Sequence, residues 1–154
     1  MKKSIWLFNL FLVLALVLAA CAKTPAEAPV VDCRAQTTSE AVGSYQVPAP
    51  IEGCYNVAFV YVGPHDDGGW SQSHDVGRIY VEQHMEGVHT AYVENVAEGA
   101  DSEQVTRSLA RKGFNVIFTT SFGFMDSSET VANEFPDVDI IHVSGFKANG
   151  ANFG

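Results

Sequence analysis

The chain has 154 residues, nine Lys or Arg against 18 Asp or Glu, and a formal charge of −9. So acidic a chain is poorly suited to nucleic acid or to anionic lipid head groups. Its length suits a single domain with a real core, and nothing in it suggests two complete domains.

Lys2 and Lys3 precede an almost unbroken apolar run from Ile5 to Ala20 that stops at Cys21. This is the layout of a bacterial export leader, expected over residues 1–20. The run is short for a membrane span, and its small residues gather at the cleavage end. "LAAC", Leu18 to Cys21, resembles a lipobox, which makes Cys21 the expected lipidation site and first mature residue. The protein is then exported and lipid-anchored, in the periplasm or at the cell surface. Cys33 and Cys54 remain as an even pair in an oxidising compartment, and a disulfide between them is expected, two free thiols being the other arrangement.

Residues 21–53 are rich in Ala, Pro, Thr, Ser and Val without period, which reads as a tether, and the folded part is expected over residues 54–154. There the apolar runs "NVAFVYV", "VHTAYVE", "NVIFTT" and "VDIIHVS" alternate with segments of helix length. A first helix is expected from Ser71 to Met85, interrupted by Gly77. The second should open with Asp101 as cap and Gln104 reaching back, and close at Gly113; the third repeats the device with Asp126 and Glu129 and stops at Pro136. Four strands alternating with three helices predict an α/β fold, a parallel sheet with helices on both faces.

Ligands of such folds gather at the carboxyl ends of the strands. The first loop there, "GPHDDGGWSQSHD" from Gly63 to Asp75, is the most unusual stretch of the chain. Its glycines could present amides to a phosphate, but Asp66 and Asp67 would repel one and no phosphate-loop spacing occurs. Carboxylates there suit ligand hydroxyls or amines. Trp70 either stacks on a planar ligand or packs down on the sheet as a staple. His65, Asp66, His74 and Asp75 have the chemistry of metal ligands without a metal-site spacing, and no metal or other cofactor is expected. Asn95 and Ser121 stand at corresponding strand ends as hydrogen-bonding candidates. In "SFGFMD", Phe122 or Phe124 could line the same cleft, or both rings could be core; Asp126 is expected to cap its helix. "TTSFGF" lacks a nucleophile elbow and no base can be assigned, so no enzyme is expected.

The ordered segments "FVYVGPHDDGGWSQSHDVGR", "YVENVAEGAD", "GFNVIFTTSFGFMD", "ANEFPDV" and "HVSGFK" resemble the basic membrane lipoprotein family, the purine nucleoside receptor type. The resemblance runs from about Asn56 to the end. It implies a type I periplasmic-binding-protein fold, whose two α/β lobes close on a ligand and deliver it to an ABC importer, with only part of the N-terminal lobe present here. It also implies a purine nucleoside ligand, its base between aromatics and its ribose held by carboxylates. Carried residue by residue, the acid pair falls on Asp66 and Asp67, the aromatic on Trp70, and the acid after the third strand on Asp126. Where the family's nucleoside receptors have Phe then Asn, this chain has Trp70 and Ser71, which leaves the ligand open, with a purine nucleoside the favoured class. A sensing or signalling lipoprotein with the same cleft is the alternative, and an exported α/β enzyme a weaker one.

Overall fold

A computed structural model describes residues 30–154 of the chain. The expected leader and Cys21 lie outside the described residues. The elements are β1 (Ser39–Val42), β2 (Tyr45–Pro48), β3 (Tyr55–Val60), α1 (Trp70–His84), β4 (Val88–Val93), α2 (Ala100–Lys112), β5 (Val116–Thr119), a 3-10 turn (Phe122–Phe124), α3 (Met125–Glu134) and β6 (Asp139–His142).

The last four strands form one sheet in the order β4-β3-β5-β6, every neighbouring pair parallel. A strand in the middle of such a sheet is covered on both faces and must be apolar throughout. In β3 every residue after Tyr55 is buried, Asn56 included. Its side chains alternate between two cores. Ala58 and Val60 join Val105 and Leu109 of α2, Val131 and Ala132 of α3, Phe114, Ile117 and Ile140. Val57, Phe59 and Tyr61 face the other way and pack with Val88, Val81 of α1, Tyr92, Val116 and Phe118. Helix α1 thus covers one face while α2 and α3 cover the other, as the strand and helix order requires.

The order turns at β3: the chain leaves it for β4 on one side and returns to β5 on the other. Such a reversal opens a crevice between the two outgoing loops, at the carboxyl ends of β3 and β5.

The fold begins earlier than the expected boundary at residue 54. Within the stretch read as a tether, β1 and β2 form an antiparallel hairpin in which Val42 faces Tyr45 across Gly43 and Ser44. Gly43 has a φ of +59°, which its missing side chain allows. Val47 is fully buried in the α2 core, with Val42 and Tyr45 packed against it. Cys33 and Cys54 are bridged by a disulfide, their Cα atoms 5.8 Å apart, so the segment before the hairpin is fastened to the entrance of β3.

The capping devices differ from expectation. Helix α2 starts two residues early, with Gly99 at the cap position and Asp101 inside the first turn, where its carboxylate accepts a hydrogen bond from the Tyr45 hydroxyl at 2.8 Å. Helix α3 likewise follows directly on the 3-10 turn, with Phe124 at the cap position. Asp126 is a first-turn residue and makes no cap. Acids so placed still favour the positive end of the helix.

Candidate functional site

Four loops leave the carboxyl end of the sheet, and hydrogen bonds join them. Asn95, after β4, donates its backbone N–H to Gly63 O, after β3, at 3.2 Å. Asn95 sits at φ +57°, a left-handed conformation that asparagine tolerates better than most residues. Trp70 donates its indole N–H to Thr120 O, just past β5. Ser121 Oγ donates to Glu98 Oε1, in the β4 loop, at 2.6 Å. His142, at the end of β6, donates Nε2–H to Ser121 O at 2.7 Å, which fixes that tautomer because a carbonyl can only accept. A side chain on Gly145 would lie 1.8 Å from His142 Nδ1, so only glycine lets the chain pass over this imidazole.

The opening loop is organised by Asp67. Its Oδ1 accepts from the N–H groups of Gly69 (2.8 Å) and Gln72 (3.0 Å), and its Oδ2 from the N–H of Ser71 (3.0 Å). These amides, Gln72 first and then Ser71 and Gly69, hold its carboxyl down to about 2. Asp67 therefore neutralises the orphan amides at the entrance of α1, the service a capping side chain performs. Its neighbour Asp66 is exposed. His65 is strapped to the end of β4: its backbone N–H and its Nδ1 both meet Glu94 Oε2, at 2.7 and 2.8 Å. That contact raises the imidazole pKa, while the His65 backbone N–H and then its ring lower that of Glu94.

Beneath this loop lies a buried ionic cluster. Asp75, 4% exposed, accepts from the Tyr61 hydroxyl at 3.1 Å and from Arg78 Nε at 2.6 Å. Arg78 reaches on to Glu82 at 2.7 Å and lies over the Tyr92 ring, 5.0 Å from its centre. Burial, then Asp75, pushes the Tyr61 phenol far above its ordinary range.

The sequence candidates divide accordingly. Trp70 is 47% exposed and tied to the end of β5, so its ring stands at the crevice. Asn95 and Asp66 are exposed on the loops that frame it, and the Ser121 hydroxyl is engaged with Glu98. Phe122 is 57% exposed and stands beside Phe146, the ring centres 6.3 Å apart. Phe124 is fully buried in the core, and Ser71 is fully buried beneath the loop, so neither lines the crevice. Asp126 faces solvent and pairs with Lys147 at 2.9 Å, beside Glu129 at 2.6 Å. Among the described residues, no group of three His, Cys, Asp or Glu side chains could hold a metal ion. Two residues of the constellation, Glu98 and His142, escaped the sequence reading. Glu98 stands within "YVENVAEGAD" at a position to which the resemblance assigned no role, and His142 lies inside an apolar run that reads as strand.

A half-exposed indole and several hydrogen-bonding groups at a topological switch point can hold a small polar ligand. Three comparisons extend this reading. The ABC transporter substrate-binding protein PnrA-like family profile matches residues 54–154. A purine-binding protein of Brucella abortus is 49% identical over 92 residues, covering 59% of this chain and 26% of that protein. A putative ABC transporter glucose-binding protein of Haloferax volcanii is 37% identical over 112 residues, covering 72% of this chain and 28% of that one. The chain thus spans about a quarter of the length of the curated relatives it matches. A solved ABC transporter solute-binding protein from Aeropyrum pernix superimposes with a TM-score of 0.56 over 64% of this chain and 27% of its own, at 19% identity, which speaks for the fold alone. No helix among the described residues is long and apolar enough to cross a membrane. The chain belongs to the PnrA-like family of ABC transporter substrate-binding proteins, a family of solute binders.

Proposed function

We propose that the protein is an extracytoplasmic lipoprotein, anchored through Cys21, that binds a purine nucleoside and delivers it to an ABC permease. The observation that carries the ligand reading is Trp70, half-exposed at the switch point and pinned by its indole N–H, where a ring can stack on a heterocycle. The purine-binding name of the Brucella relative supports the same class. The glucose-binding name of the Haloferax relative supports a second reading, a sugar ligand, since sugars also stack on indole and donate hydroxyls to carboxylates.

The residues here form one wall of a site, and ligands of this size are enclosed over most of their surface. Binding is therefore tested on the full-length protein. Calorimetric titration with inosine, adenosine and glucose separates the two readings: saturable binding of either nucleoside with none of glucose supports the first. Glucose binding alone overturns it in favour of the second. Lipidation is tested by mass spectrometry of the exported protein, in which Cys21→Ser should abolish acylation.

A further inference from the structure

The geometry points to Glu98 as the specificity-determining carboxylate of this cleft, the group that selects ligands with N–H or O–H donors and turns away phosphorylated ones. The inference rests on the solute-binding reading above. Glu98 stands in the loop between β4 and α2 and is exposed. Its Oε1 accepts from Ser121 Oγ, while no group among the described residues donates to its Oε2. Trp70 meets Thr120, the residue next to Ser121. Two loops from different strands therefore bring an aromatic face and a carboxylate onto consecutive residues at the end of β5. Stacking tolerates many rings; an acceptor with a free oxygen is what discriminates among them.

Glu98 also lies where an anion would otherwise settle. The turn Phe122–Phe124 and the start of α3 carry no side-chain cap, and a helix entrance of this kind attracts phosphate. The Glu98 carboxylate rests against that entrance. A side chain on Gly123 would meet its carbon at 2.1 Å and its two oxygens at 2.3 Å. Gly123 is thus the space that admits Glu98, and the protein supplies the negative charge itself. A stabilising role alone leaves the second oxygen without a use, because Trp70 and His142 already fix Thr120 and Ser121 by their carbonyls.

The test is titration of the full-length protein with inosine, inosine 5′-monophosphate, glucose and glucose 6-phosphate. The unphosphorylated member of one pair should bind at least a hundredfold more tightly than its phosphate. Glu98→Gln keeps the shape and removes the charge; it should weaken the unphosphorylated ligand about tenfold or more and narrow the discrimination by a similar factor. Gly123→Ala, which keeps the carboxylate but displaces it, should lose the same selectivity while melting within a few degrees of the parent. If glucose binds and inosine does not, the nucleoside reading fails while the role of Glu98 is still decided by the variants. Parental affinities and parental discrimination in Glu98→Gln overturn the inference with the solute-binding reading intact. No binding by any of the four overturns both.

Discussion

The indole nitrogen of Trp70 donates to the carbonyl oxygen of Thr120, joining the first residue of α1 to the end of β5 across the switch point. The bond fixes the ring's edge, while the side chain stays 47% exposed with His74 packed against it at 4.7 Å between ring centres, so position and stacking can be separated. Trp70→Ala in the full-length protein should cost about 1 to 3 kcal/mol of ligand affinity, the worth of stacking a base on an aromatic side chain. Trp70→Phe keeps a face but loses the anchor, and should lie between the two. Calorimetry reads both; parental affinity in the alanine variant would confine Trp70 to packing.

The ionic cluster beneath the loop makes a different demand. Asp75 is the carboxylate toward which both Tyr61 and Arg78 donate, and the Arg78 side chain is only 11% exposed. Asp75→Ala leaves a guanidinium short of its counter-charge in the interior, a change that costs about 3 to 5 kcal/mol. Asp75→Asn should cost less, since its amide oxygen still accepts from Tyr61. Urea denaturation of both variants checks the order, and equal midpoints would mean that water replaces the missing carboxylate.

The parallel sheet was legible because β3 and β5 sit where only apolar runs can sit. The two phenylalanines of "SFGFMD" were not, since the 3-10 turn sends Phe124 inward and Phe122 outward, and no periodicity announces such a turn. Phe124→Ala should destabilise by about 3 to 5 kcal/mol, as deletion of a fully buried ring does, with Phe122→Ala within about 0.5 kcal/mol of the parent. Thermal denaturation distinguishes them. The β1–β2 hairpin was missed although its signal was present: Gly43 and Ser44 between Val42 and Tyr45 form a two-residue turn, obscured by the prolines that follow. Capping was misplaced by two residues because Gly99, at φ +85°, takes the cap position that side-chain chemistry assigns to Asp101. Glu98 was beyond reach for another reason. Its partner Ser121 is 23 residues away, and only the crossover of the sheet brings them together.

The His65–Glu94 strap should give the opening loop a pH window. The His65 pKa is raised above its ordinary 6.5, so its stabilisation is complete below that value and is lost as pH rises through the folded-state pKa. The Glu94 pKa is lowered below 4.5, so its contribution is present above that value and is lost as pH falls through the folded-state pKa. The strap is therefore strongest between about pH 5 and 6. Asp66 and Asp75 reinforce the charged imidazole, and Tyr92 packs beside it at 5.2 Å between ring centres. The melting difference between parent and His65→Gln should be largest in that window and shrink by pH 9. A gap independent of pH would assign the effect to packing on Tyr92.

The bridge between Cys33 and Cys54 closes a loop of sequence separation 21 and ties the segment before the hairpin to the start of β3. By the chain-entropy argument such a closure is worth about 3 kcal/mol, chiefly by restricting the unfolded chain. The segment has other holds on the domain: Arg34 donates to Gln83 O at 3.1 Å, a His89 ring nitrogen meets Cys33 O at 3.1 Å, and Val47 is buried against α2. Reduction should therefore lower the unfolding midpoint without dispersing the hairpin. Thiol titration of the unreduced exported protein should find neither cysteine free, and amide hydrogen exchange after reduction should leave Tyr45–Pro48 protected. Two free thiols would remove the bridge from the native protein, and full exchange across β2 would make the disulfide, not Val47, the hold on the hairpin.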